Sequence, residues 1–291
     1  MQAGSTKKRS MYVGAFVSGF IVLGLLAIAA FAGENPIPWK VGGYESISEV
    51  HMKFLSASRD AFESLKNFMT GKHETEICEI WYRKHPKRFR VDDYVEAGTL
   101  RCNKFKGKEW EKIAENGKTY VLKSRTIQIG DKRISYNLEN ISSGGGTELC
   151  EYKRFEAVRS GPASIKDVLP LMPLTPYVAD PDAAEMIGAT LDMDKVMNPD
   201  KYKKTMAELK KRHDVAGRTT AKWNTNHGLI RFAAQGPVSI DLEWGIALEG
   251  YLTEGREGWG SKPVILEKPE LLYKVLSIET KISDPTVFGE Q

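Results

Sequence analysis

From Thr75 to Val158 the chain is a succession of strand-like runs joined by very short turns, and this feature most constrains its fold. The runs TEICEIWYR (75–83) and RFRVDDYV (88–95) are separated only by Lys84–Lys87, and Leu100–Phe105 continues the pattern. Trp110–Ala114 and Lys118–Leu122 flank Asn116-Gly117, a strong two-residue hairpin signal. Arg125–Ile129 and Arg133–Leu138 flank Gly130-Asp131, and Leu149–Val158 follows the run Ser142–Gly146. Parallel neighbours need a crossover of a dozen or more residues, whereas these turns allow only antiparallel pairing. The spacing therefore predicts an antiparallel meander and excludes a βαβ alternation.

The N-terminus carries a different signal. Residues 11–32 (MYVGAFVSGFIVLGLLAIAAFA) contain no charge and follow Lys7-Lys8-Arg9. As a helix such a run would be about 33 Å long, enough to cross a hydrocarbon core of roughly 30 Å. Two readings follow. In the first, residues 1–10 are a cytoplasmic basic flank and 11–32 are a retained transmembrane anchor. In the second, 11–32 are a signal peptide cleaved after Ala30-Phe31-Ala32, and the protein is secreted. Both place the body outside the cytoplasm, in a periplasmic or other extracytoplasmic space. The formal charge of +4 supports this division, because residues 1–32 hold three basic residues and no acid, leaving 39 Lys+Arg against 38 Asp+Glu. A body so nearly neutral has no electrostatic footprint for nucleic acid. At 291 residues and 41% hydrophobic, the chain can bury a proper core.

Residues 33–45 (GENPIPWKVGGYE) read as a linker, and 46–291 as the folded domain. Ser46 and Glu49 form a capping-box pattern, and Ile47, Val50, Phe54, Phe62, Leu65 and Phe68 recur at near-helical spacing. An early core-facing helix ending near Gly71 is expected. Residues 160–197 are apolar but broken by Pro162, Pro170, Pro173, Pro176 and Pro181, which predicts short helices and loops over a sheet. Asn198-Pro199 opens a helix with Tyr202, Met206 and Leu209 on one side and Lys203, Lys204, Lys210, Lys211 and Arg212 in water. Strands return at Arg218–Trp223, at Val238–Trp244, at Ile246–Leu252 and at Leu271–Ile282. In Val238–Trp244 the apolar Val238, Ile240, Leu242 and Trp244 alternate with Ser239, Asp241 and Glu243. The fold class expected is α+β: one curved antiparallel sheet of about ten strands, helices on one face, and an N-terminal transmembrane or signal helix.

The order of a helix, ICEIWYRKHPKRFRV and an ENGKTYVL hairpin resembles the bacterial outer-membrane lipoprotein-carrier (LolA/LolB-like) superfamily. There a strand, a K-x-P-type turn and an "rfR" strand follow an early helix. Here Tyr82–Val91 holds that place, centred on Lys84-His85-Pro86-Lys87-Arg88-Phe89-Arg90, with Asn116-Gly117-Lys118 at the "dGk" turn. Val215-Ala216-Gly217-Arg218-Thr219, Trp223–Leu229 and the final Val287-Phe288 are similar to the family's C-terminal part. The resemblance implies a half-barrel whose open side is covered by helices, with an apolar cavity for acyl chains between. The chain departs from soluble carriers in its longer Pro-rich middle and, where the 11–32 run is retained, in its anchor. Tethered relatives of the fold serve as acceptors, envelope-stress sensors or spore-envelope proteins.

Motifs for chemistry are absent. His51, His73, His85, His213 and His227 are scattered outside metal-ligand spacings, and there is no G-x-S-x-G, P-loop or Rossmann pattern. Gly255, Gly258 and Gly260 read as a loop, and Asp92-Asp93 and Asp180/Asp182 as carboxylates of the surface or turn type. No catalytic residue, metal ligand or cofactor is assigned, and a non-enzymatic role is expected. Cys78, Cys102 and Cys150 leave three pairings open, Cys78–Cys102 among them, alongside free thiols. Lys84, Lys87, Arg88 and Arg90 beside Trp81, Tyr82 and Phe89 read as a solvated rim or a surface for anionic headgroups. From alternation, Trp81, Phe89, Val91, Ile240, Leu242 and Trp244 are the residues expected to line an apolar groove. The partners expected are lipid or lipoprotein acyl chains and the inner membrane, with another envelope protein as the alternative.

Overall fold

The structure, a computed structural model, describes residues 36–57, 75–100, 102, 104–106, 112–142, 148–158, 165–168, 181–229, 232–257 and 262–289. Its strands are β1 (Glu49–Ala57), β2 (Thr75–Arg83), β3 (Arg88–Glu96), β4 (Lys104–Phe105), β5 (Lys112–Glu115), β6 (Lys118–Ile129), β7 (Lys132–Ser142) and β8 (Glu148–Val158). The helices α1 (Ile165–Val168), α2 (Pro181–Met197) and α3 (Pro199–Lys210) follow. The chain then continues through β9 (His213–Val215), β10 (Arg218–Leu229), β11 (Phe232–Asp241), β12 (Ala247–Glu257) and β13 (Val264–Glu279).

All thirteen strands belong to one open sheet, in the order β4-β8-β7-β6-β3-β2-β1-β13-β12-β11-β10-β9, with β5 pairing β6 off that path. Local turn chemistry sets most of the pairings. Asn116 and Gly117 have φ of 50° and 77°, the left-handed pair that a tight twisted hairpin requires, and Ala216-Gly217 repeats it at 53° and 76°. Pairing is antiparallel apart from β4 beside β8, where Lys104 and Phe105 lie against Leu149 and Cys150. A Cys102–Cys150 disulfide fastens this edge, and Cys78 stays buried and outside the bridge. Of the three pairings open in the sequence, the fold selects this one because β4 crosses to the far edge, away from β2.

The early helix is the principal correction. Gly43–Ser46 forms one 3-10 turn, with the Ser46 hydroxyl donating to the Gly43 carbonyl at 2.6 Å, and β1 begins at Glu49. Val50 and Phe54 are four apart, a spacing compatible with helix or strand. Met52 between them decides: Val50, Met52 and Phe54 are all buried on one face, alternating with half-buried His51 and Lys53. Pairing on both sides, with β2 and β13, overrides the local helical reading. Phe62, Leu65, Phe68 and Gly71 lie outside the described residues, as does the 11–32 run. No helix among the described residues is long and apolar enough to cross a membrane. The strand count rises from about ten to thirteen. Pro181 to Met197 is one 17-residue helix rather than several short pieces.

The Val238–Trp244 alternation also needs correction. β11 stops at Asp241, and Leu242–Trp244 form a turn. Ser239 and Asp241 are buried, not solvent-facing. Asp241 caps that turn: its Oδ1 accepts from the backbone N–H of Glu243 at 3.0 Å and Trp244 at 2.6 Å. Arg218 adds a bidentate pair to the same carboxylate at 2.7 and 2.9 Å and stacks over the Trp244 ring at 3.9 Å. Burying a carboxylate is tolerable here because every side of it is engaged.

Two main cores result. The first joins Val50, Met52 and Phe54 to Ile80 and Val91, with α1 contributing Ile165 and Val168. The second lies where α2 and α3 meet β11–β13. Residues 36–41, read as linker, are part of it: Ile37 and Trp39 are buried there, and the Lys40 N–H donates to the Leu242 carbonyl at 2.8 Å.

Candidate apolar binding site

The second core combines an apolar lining with buried polar groups that lack partners. β11 supplies Val238 and Ile240, β12 Leu252, and β13 Leu272 and Tyr273. From above come Leu191 on α2 and Leu209 on α3, with Tyr202 and Met206 partly buried beside them. The α3 helix sits this way because Tyr202, Met206 and Leu209 share one side, while Lys203, Lys204 and Lys210 remain exposed.

Tyr273 is fully buried, and the structure offers its hydroxyl no hydrogen-bond partner. Its ring fits against Gly250, its cross-strand neighbour, where a Cβ would come within 2.7 Å of ring carbon Cε1. Burial, with the charge of Glu249 adding to it, pushes the phenol far above its ordinary range, so it stays a neutral O–H. Trp39, in the same cluster and 3% exposed, has an indole N–H that is likewise buried without a partner. An unmet buried donor costs about 1–3 kcal/mol. Next along the strand, Glu249 is fully engaged. It accepts from Tyr251 at 2.9 Å and Ser239 at 3.4 Å, and pairs with Lys274 at 3.1 Å. Burial and Glu249 together push the Tyr251 phenol up to about 12. The cluster is thus apolar apart from two buried neutral donors, the Tyr273 O–H and the Trp39 N–H, of the kind that a carbonyl or carboxylate oxygen satisfies.

The six residues expected to line one groove are spread over three clusters. Phe89, Val91 and Trp244 belong to the first core, and Ile240 and the partly buried Leu242 to the second. Trp81 lies in a third cluster, with Ile282 and Phe288. The residues that alternation missed are Trp39, hidden in a Pro- and Gly-rich stretch, and Tyr273, an aromatic with a polar tip inside the apolar run LLYKV.

Around Trp81 the Asp92 assignment is overturned. Asp92 is fully buried and accepts from Arg90, from Arg125 at 2.9 and 2.8 Å, and from the Tyr94 hydroxyl at 3.2 Å. Arg90 is also buried rather than part of a solvated rim: it lies over the Trp81 ring at 4.7 Å and donates to the Val287 carbonyl at 3.0 Å. His51 stacks on the same ring at 4.6 Å, and Glu49 accepts from the Ile282 N–H at 2.9 Å while pairing with Arg83. This network seats the C-terminal turn Pro285–Phe288, with Phe288 1% exposed, and within it the His51 Nε2 is buried without a hydrogen-bond partner. Among the described residues no group of three His, Cys, Asp or Glu side chains is placed to hold a metal ion. No protein-family model matches the sequence, and the curated proteins contain no match to it.

Proposed function

We propose that the protein is an exported, membrane-tethered envelope protein that binds a lipid or a lipoprotein acyl chain between its sheet and its helices. In this reading the sheet acts as a half-barrel, and α2 and α3 cover its β10–β13 side. The observation that carries the reading is the pair of partnerless buried donors, Tyr273 Oη and Trp39 Nε1, within an otherwise apolar cluster. Acyl chains would gain roughly 0.8 kcal/mol per buried methylene, and an ester or carboxylate oxygen would satisfy the donors. The Cys102–Cys150 bridge supports placement outside the cytoplasm, where disulfides persist.

The test is lipid extraction and mass spectrometry of the purified full-length protein, followed by titration with a fluorescent fatty acid. Saturable binding, weakened about tenfold (~1.4 kcal/mol) in Tyr273→Phe, is the expected result. Absence of both copurifying lipid and saturable uptake overturns it. The alternative, an envelope sensor or interaction protein, draws on β8, whose Phe155 and Val158 are 48% and 87% exposed. β4 covers β8 only at Leu149 and Cys150, so beyond them β8 pairs on one side only among the described residues. A stoichiometric protein partner captured by crosslinking, with no lipid bound, would favour that reading.

A further inference from the structure

We infer that the outward face of α2 lies on the surface of the bilayer that anchors the chain; the inference rests on the tethered reading above. The α2 helix is apolar on two sides. Ala184 and Leu191, seven residues apart, are buried toward β11–β13. Met186, Met193 and Met197, spaced seven and four apart, form a second stripe pointing away from the core, and they are 72%, 62% and 71% exposed. Val196 beside them is 63% exposed. A helix greasy on both faces has two surfaces to cover, and α3 with the sheet covers only one.

The position of the chain's start argues for lipid on the other. The uncharged run ends at Ala32, and Ile37 is already buried in the cluster that holds Ala184 and Leu191. The few residues between can span at most about 18 Å. Trp39 and the Lys40–Leu242 hydrogen bond then pin that segment to the body. A membrane-spanning 11–32 run thus holds α2 and α3 within a short reach of the bilayer. At about 26 Å, α2 is long enough to lie along the surface and place all three methionines at the headgroup–acyl boundary. The flexible thioether side chains suit a fluid, irregular contact. The helix exposes Asp182 and Glu185 against Lys195 and so offers no basic face, and the contact is expected to depend on apolar insertion rather than on anionic lipid.

The test uses the full chain in phosphatidylcholine vesicles, with a cysteine introduced at one exposed position and labelled with an environment-sensitive fluorophore. Native Cys78 is buried and Cys102–Cys150 is bridged, so labelling without reductant is selective. Met193→Cys reports α2, and Phe155→Cys reports β8, well across the sheet. Flotation of the vesicles after alkaline washing tests the tether separately. The expected result is flotation, with blue-shifted emission and quenching by spin-labelled lipid at position 193 and neither at 155. Flotation without quenching at 193 overturns the inference and leaves the tether standing. A blue shift at 193 without lipid quenching also overturns it, because protein would then cover the face. Equal quenching at both positions overturns it as non-specific adsorption. Failure to float removes the tether and the inference together.

Discussion

Asp92→Ala is the substitution whose outcome the structure defines most sharply. The carboxylate is fully buried between two guanidinium groups that are themselves 4% and 5% exposed at the side chain. It accepts from Arg90 through both oxygens, from Arg125 through two nitrogens, and from Tyr94. Removing it takes away the buried carboxylate that both guanidinium groups share. Breaking a buried ion pair in this way costs about 3–5 kcal/mol, and in a domain of this size that corresponds to a fall in Tm of about 6–20 °C. Circular dichroism melting of wild type and variant reads the shift directly. The loss should be felt first at the C-terminus, because Arg90 also holds the Val287 carbonyl, so amide exchange at Val287 and Phe288 should accelerate before the strands open. The combined variant Arg90→Met, Asp92→Leu, Arg125→Met should recover most of the loss, since it replaces the shared carboxylate and both guanidinium groups by apolar groups of comparable volume. The reasoning is refuted if Asp92→Ala melts within about 1 kcal/mol of wild type, or if the triple variant is no more stable than the single one.

Three further outcomes follow from the geometry. Tyr273→Phe removes a hydroxyl that has no partner and should raise the ligand-free stability by about 1–3 kcal/mol in urea unfolding; a loss instead would mean that the hydroxyl is engaged. Replacing Cys102 and Cys150 by serine opens a bridge with a sequence separation of 48 and should cost up to about 4 kcal/mol on the loop-entropy model, measured against the oxidised protein. Acid should destabilise in two windows. Burial lowers the His51 pKa below 6.5, so the unfolded chain protonates first and stability falls as pH drops from 6.5 toward the folded value. Glu49, lowered chiefly by its hydrogen bond from Arg83, adds stability above 4.5 that is lost as pH falls through its folded value. A melting series from neutral pH downward should lose its first step in His51→Gln and keep the second.

What the sequence determined by itself is what its local chemistry can encode. Asn116-Gly117 and Gly130-Asp131 mark their turns because Asn116, Gly117 and Gly130 take the left-handed backbone that Asn and Gly accept most readily, and the strands on either side follow from β-rich runs. Asn198-Pro199 and the Tyr202–Met206–Leu209 side likewise placed α3. Where two periods coincide, local pattern is ambiguous: Val50 and Phe54 suit helix and strand alike, and pairing with β2 and β13 makes the segment a strand. Tertiary structure alone decided that β1 pairs with β13, more than 200 residues away in sequence, because that contact is made by strand order and leaves no local trace. The same holds for Asp92 and Asp241, whose carboxylates are buried only because Arg125 and Arg218 arrive from other strands. The choice of Cys150 for Cys102 and the partnerless hydroxyl of Tyr273 have the same origin. Each depends on which distant groups the fold brings within hydrogen-bond or bonding distance, and spacing along one chain segment cannot encode that.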